Sequence, residues 1–160
     1  MQNFLINILI TIFFFGISYA KYPDAAASNG MVVSSHKLAS QAGVDILKEG
    51  GNAIDAAVAV GFALAVVHPG AGNIGGGGFM VIRMANGEST TIDFRETAPG
   101  LASENMFLDD DGNVIEGKSW STSYAVGVPG TVAGLGYAHD KYGTERWYKL
   151  LQPAIHMAKF

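Results

Sequence analysis

The stretch Ala56-Ala57-Val58-Ala59-Val60-Gly61-Phe62-Ala63-Leu64-Ala65-Val66-Val67 carries no polar side chain. Asn52 and Asp55 precede it as an oxygen cap and a first-turn acid, and His68-Pro69 closes it, so it reads as one helix. A helix that is apolar all round needs cover on every side, which places it in the core of a layered α/β protein. At roughly twelve residues it is too short to span a bilayer.

Outward from this helix, Leu38, Ala39, Ala42, Gly43, Ile46 and Leu47 recur at helical spacing, and Gly50-Gly51 stops that second helix. Met31-Val32-Val33-Ser34, before it, has the look of a short apolar strand. On the other side, Gly70 to Gly78 is a glycine-rich loop leading into an apolar strand, Phe79 to Met84. Asn86-Gly87 then predicts a type I′ hairpin turn, in which both central residues have φ > 0. In the returning strand Ile92 and Phe94 share one face while Asp93 and Arg95 share the other, and Ala98-Pro99 ends it. A polar, turn-rich segment runs through Asp109-Asp110-Asp111-Gly112. Pro129-Gly130 opens a helix with Val132, Leu135 and His139 on one side and Gly143 as its stop. Thr144 is placed to cap a last helix bearing Trp147, Leu150 and Leu151, which Pro153 should break or kink. The chain reaches Phe160 inside an apolar periodic pattern with no closing element, as expected of a cut chain.

The sequence has 160 residues, no cysteine and a net charge of −4. Residues 1–20 read as a secretory signal: an apolar core from Phe4 to Ile17, then Ser18-Tyr19-Ala20 as a small-x-small cleavage pattern before Lys21. The n-region departs from the pattern in having no Lys or Arg, but an anchor would need a longer apolar segment. A secreted or periplasmic location follows, with no membrane partner once the signal is removed. Without cysteine, stability in that compartment has to come from size and packing. The acidic balance shows no basic patch and gives no footprint for nucleic acid. Residues 21–160, about 140 of them, suit one domain or part of one.

Two nucleotide-binding patterns occur and fail on context. Gly70-Ala71-Gly72-Asn73-Ile74-Gly75 fits G-x-G-x-x-G, but that motif needs strand, glycines, then helix, and the order here is helix, glycines, strand. Gly112-Asn113-Val114-Ile115-Glu116-Gly117-Lys118-Ser119 fits the Walker A expression, yet it follows three aspartates that would repel phosphate. Asp109, Asp111 and Asn113 resemble the start of a calcium loop, but Val114 occupies the position of its invariant glycine. The histidines His36, His68, His139 and His156 show no ligand spacing, and no Ser or Thr has an evident His-based triad. No metal and no cofactor is expected, and a nucleotide-binding module would rest on the two rejected patterns alone.

Arg95 is the one candidate binding residue. A guanidinium held rigidly is a two-pronged donor suited to a carboxylate; the alternative is a surface ion pair with Asp93 or Glu96.

Four stretches, in order, resemble the γ-glutamyltranspeptidases, or glutathione hydrolases: Asp45 to Ala59, Asn73 to Met80 (Asn-Ile-Gly-Gly-Gly-Gly-Phe-Met), Asp93 to Pro99 (Asp-Phe-Arg-Glu-Thr-Ala-Pro) and Pro129 to Gly134. The resemblance covers nearly all of residues 30–160. It implies an α+β, N-terminal-nucleophile hydrolase fold, a four-layer αββα sandwich of which only the first portion, from the large subunit, is present. It also implies a precursor that cuts itself into two subunits, the new N-terminal Thr of the small subunit being the nucleophile and its α-amino group the base. By the same resemblance the γ-glutamyl group of glutathione passes through an acyl-enzyme to water, an amino acid or a peptide, and Arg95 holds its α-carboxylate. The nucleophile, the oxyanion glycines and the groups that bind the substrate amine are expected beyond Phe160, so no catalytic residue is assigned in this chain. Its partners are then glutathione and other γ-glutamyl compounds, the remainder of the large subunit, and the small subunit. The competing expectation is a non-catalytic remnant of the family.

Overall fold

The computed structural model describes residues 25–159. The leader assigned to residues 1–20 lies outside the described residues. Four helices and one hairpin follow in order: α1 (Lys37–Lys48), α2 (Ala53–Val67), β1 (Phe79–Arg83), β2 (Ser89–Asp93), a short 3-10 turn (Ser123–Ala125), α3 (Thr131–Tyr142) and α4 (Trp147–Lys159).

The apolar helix α2 is the hub. Val58, Ala59 and Ala63 have no solvent exposure, and the helix packs against α1, α4 and α3. Ile46 of α1, Ala56, Val58 and Ala59 of α2, Leu135 of α3 and Leu150 of α4 make one cluster, with Phe62 and Trp147 packed against it edge to face at 5.5 Å. Ala39 and Ala42 meet Ala63 in a second cluster, where small side chains let α1 and α2 approach closely. The C-terminal half of α2 is less covered: Phe62, Ala65 and Val66 line an apolar cleft of about 440 Å³ with Leu151 and Ile155. Among the described residues no helix is long and apolar enough to cross a membrane.

The helix ends follow the local chemistry. Asn52 and Asp55 form a reciprocal capping box: Asn52 Oδ1 accepts from the N–H groups of Ile54 and Asp55 at 2.8 and 3.0 Å, and Asp55 Oδ2 accepts from Asn52 N–H at 2.9 Å. His36 caps α1 through Nδ1, and His68 is the C-cap of α2, so two of the four histidines serve helix ends.

β1 and β2 pair antiparallel, with Met80 opposite Ile92 and Ile82 opposite Thr90. Ile82 is buried with Ile54 and Ala138, and Met80, Met84 and Ile92 pack on that cluster, so one face of the hairpin lies on α2 and α3. The other face, with Phe79 and Val81, is exposed.

Several local expectations are corrected. Met31–Ser34 forms no strand, since no strand among the described residues pairs with it. The hairpin turn is not type I′: Gly87 has φ +89° but Asn86 is not left-handed. Met84 O accepts from Gly87 N–H and Met84 N–H donates to Glu88 O, giving a three-residue loop with glycine at its left-handed third position. Asn86 Oδ1 instead accepts from Glu88 N–H. On α3 the buried face is Gly134, Leu135 and Ala138, while Val132 is exposed. Of the break or kink expected at Pro153, the break is absent: the proline lies inside α4, which runs on to Lys159. Thr144 does not cap that helix either: α4 begins only at Trp147, and the Thr144 hydroxyl is directed to Asp55.

Candidate functional site

Arg95 stands just past β2, which ends at Asp93. The segment around it, expected to be strand, is instead a short link pinned at both ends. Phe94 N–H donates to Gly78 O at 3.0 Å on one side; on the other, Thr97 and Val128 exchange hydrogen bonds at 3.2 and 2.8 Å. Asp93 spends its carboxylate on the local backbone, accepting from Arg95 N–H at 3.0 Å, and this turn takes the chain out of the ladder.

Of the two candidate ion partners, Glu96 is the one found: its Oε2 lies 3.8 Å from Arg95 Nε. That is beyond hydrogen-bond range, and both side chains are substantially exposed, at 63% and 40%. Such a pair contributes little to stability. The arrangement therefore offers a cation with a fixed root, which can take a carboxylate from solution.

The glycine loop explains how this root is fixed. A Cβ on Gly77 would lie 2.5 Å from Glu96 N and 2.7 Å from Arg95 Cα, so only a residue without a side chain lets the two backbones meet there. Gly76 O then accepts from Gly130 N–H at 2.8 Å and from Thr131 N–H at 3.1 Å, joining the loop to the start of α3. Three of the four stretches behind the resemblance, the glycine run, Asp93–Pro99 and Pro129–Gly134, thus converge in space around Arg95.

The fourth stretch leads to a second buried cluster, away from Arg95. Asp55 has no solvent exposure, yet its carboxylate is fully engaged. Besides Asn52 N–H it accepts from Thr144 Oγ1 at 2.7 Å, Thr144 N–H at 3.1 Å and Glu145 N–H at 3.3 Å. Burial pushes this carboxyl up, but the hydrogen bond from Thr144 Oγ1 and those from the backbone of Asn52, Glu145 and Thr144 outweigh it and hold Asp55 below the usual carboxylate range. His139 Nε2 lies 2.7 Å from Glu145 O, and since a carbonyl only accepts, that nitrogen carries the proton. The local pattern pointed to Asp55 as a first-turn acid; nothing near it in sequence pointed to Thr144.

The acidic turn is closed on itself. Asp109 accepts from the N–H groups of Asp111 and Asn113 at 3.0 and 2.8 Å, and these bonds, the Asn113 one foremost, lower its pKa. Gly112–Ser119 follows no strand of the hairpin and leads into turns, and Lys118 lies over the Tyr124 ring at 4.9 Å. The Gly70–Gly75 loop likewise leaves the C-terminus of α2 and enters β1, the wrong end of a helix for a phosphate. Among the described residues no group of three or more His, Asp or Glu is placed to hold a metal ion.

The sequence model described as Gamma-glutamyltranspeptidase matches residues 39–159. The chain belongs to the γ-glutamyltranspeptidase family. It is 58% identical over 144 residues to the glutathione hydrolase proenzyme of Pseudomonas sp. (strain A14), covering 90% of this chain and 25% of that protein. It is 57% identical over 145 residues to the glutathione hydrolase proenzyme of Escherichia coli (strain K12), covering 91% and 25%. The crystal structure of Helicobacter pylori γ-glutamyltranspeptidase superposes with a TM-score of 0.82 at 58% identity, over 85% of this chain and 39% of that one. The α+β fold is therefore that of a γ-glutamyltranspeptidase, an N-terminal-nucleophile hydrolase, over the portion present. The chain spans about a quarter of the length of these two glutathione hydrolase relatives, at 25% of each.

Proposed function

We propose that this chain is the N-terminal part of the large subunit of an exported γ-glutamyltranspeptidase that transfers the γ-glutamyl group of glutathione to water, amino acids or peptides. The observation that carries the assignment of a site is Arg95, a guanidinium rooted on a doubly pinned segment, with no carboxylate of the described residues within hydrogen-bond range. In this role Arg95 holds the α-carboxylate of the γ-glutamyl group with two parallel N–H···O bonds. Binding at that end orients the γ-carbonyl toward a nucleophile supplied by another segment of the polypeptide.

That nucleophile is the N-terminal Thr of a small subunit released by self-cleavage. Its hydroxyl attacks the γ-carbonyl carbon, and its own α-amino group takes the proton and passes it to the leaving amine. The resulting ester is opened by water or by an acceptor amine. The wording "proenzyme" in the names of the Pseudomonas and Escherichia coli relatives supports a matured precursor. The apolar leader at residues 1–20 supports export.

The test is made on exported material from the native source, by isolating this chain and reading the N-terminus of every chain that co-purifies. A partner beginning with Thr is the expected result. This chain recovered without such a partner would make it a non-catalytic remnant and overturn the proposal.

A further inference from the structure

Phe94 directly precedes Arg95 in the chain. It is held at three places by backbone that carries no side chain. Its ring lies against Gly78, where a Cβ would come within 2.8 Å of Cε2. Its carbonyl oxygen lies against Gly130, and its Cβ and Cγ against Gly134, so closely that a Cβ at either glycine would overlap them. Gly134 sits on the buried face of α3 and Gly78 at the entrance to β1, so Phe94 is wedged between two separate elements. Gly78 and Gly134 have no Arg95 atom among their nearest contacts, whereas a Cβ on Gly130 would also come within 3.3 Å of Arg95 O.

We propose that Phe94 is a positioning residue for donor binding: wedged between Gly78 and Gly134, it sets the backbone from which Arg95 meets the γ-glutamyl carboxylate, and Gly134 acts on donor affinity only through it. The proposal rests on the carboxylate-binding role of Arg95. A bidentate pair depends on both distance and angle, so a shift of a few tenths of an ångström at its root weakens it without touching the reacting atoms. A methyl group on Gly134 cannot be accommodated by turning the ring, because it meets Cβ as well; the backbone of Phe94 has to move.

The experiment uses the mature two-subunit enzyme and steady-state kinetics with glutathione. Gly134→Ala is expected to raise KM about tenfold with kcat within about threefold, the signature of lost binding and not of lost chemistry. In an Arg95→Lys background the same substitution should raise KM by less than about threefold, since two changes acting through one contact do not multiply. An unchanged KM, or effects that multiply, would overturn the proposal while leaving Arg95 in its role. An Arg95→Lys enzyme with the KM of the parent would overturn the carboxylate role and the proposal with it. Should Gly134→Ala prevent maturation, Phe94→Leu keeps the Cβ and removes the ring from Gly78. It is expected to raise KM by about threefold or more at similar kcat, and an unchanged value overturns the proposal.

Discussion

Thr144 Oγ1 donates a 2.7 Å hydrogen bond to Asp55, a carboxylate with no solvent exposure, and so ties the start of α2 to the link between α3 and α4. Asp55→Asn places an NH₂ group where one oxygen now accepts. At least one of the donors from Asn52, Thr144 and Glu145 would then face another donor. The expected cost is about 2–4 kcal/mol, combining lost charge-assisted bonds with a buried unsatisfied donor. Thr144→Val keeps the shape and removes one donor, for about 1–2 kcal/mol. Thermal unfolding of the mature protein should rank them wild type, Thr144→Val, Asp55→Asn; equal midpoints would mean the cluster is not a clasp.

The same carboxylate sets an acid limb. Because the folded protein holds Asp55 below its ordinary value, its contribution is fully present above the unfolded carboxylate pKa, about 4, and is lost as pH falls through the folded value. The gap in melting temperature between wild type and Asp55→Asn should therefore be constant from about pH 7 to 5 and narrow below about pH 4. A gap that widens on acidification would reverse the sign assigned here.

Residue order revealed the helices because their signals are local. The uninterrupted apolar run of α2, its Asn52 cap and the Gly50-Gly51 stop of α1 each act within a few residues. What was illegible depends on partners far along the chain. Whether Met31–Ser34 forms a strand is decided by whether a neighbour pairs with it. Thr144 was read as a cap because its true acceptor lies 89 residues away. Arg95 could be picked out as a rigid donor, but its strand was misplaced, since Asp93 turns the backbone away from the ladder. The glycine run was visible as permissive backbone; that Gly77 admits Arg95 and Glu96, and Gly78 the Phe94 ring, became clear only from the packing.

Two glycines with open space around them should respond in opposite directions. Gly136 lies inside α3, and Gly87 at the hairpin has φ +89°; a Cβ on either would meet nothing within 4 Å. Gly136→Ala is expected to stabilise by about 0.5–1 kcal/mol through lower chain entropy and better helix propensity. Gly87→Ala should destabilise by about 1 kcal/mol or more, because alanine resists the left-handed backbone. Melting temperatures of the two variants on either side of wild type are the outcome to look for; both falling would mean that Gly136 faces cover from another part of the polypeptide.

Arg95→Lys keeps the positive charge and removes the fork, which makes it the sharpest test of the site. A lysine ammonium can meet one carboxylate oxygen well but cannot form two parallel bonds from one plane. Loss of one charge-assisted bond, about 1.5–3 kcal/mol, corresponds to a rise in KM for glutathione of roughly 10- to 100-fold. Stability should change little, because the Glu96 pair that is given up is exposed and 3.8 Å long. The deciding comparison is a donor whose α-carboxylate is replaced by hydrogen: the parent enzyme should bind it poorly, and Arg95→Lys should bind it no worse than the parent does. If the substitution weakens both donors equally, Arg95 supports the fold of the site and does not hold the carboxylate.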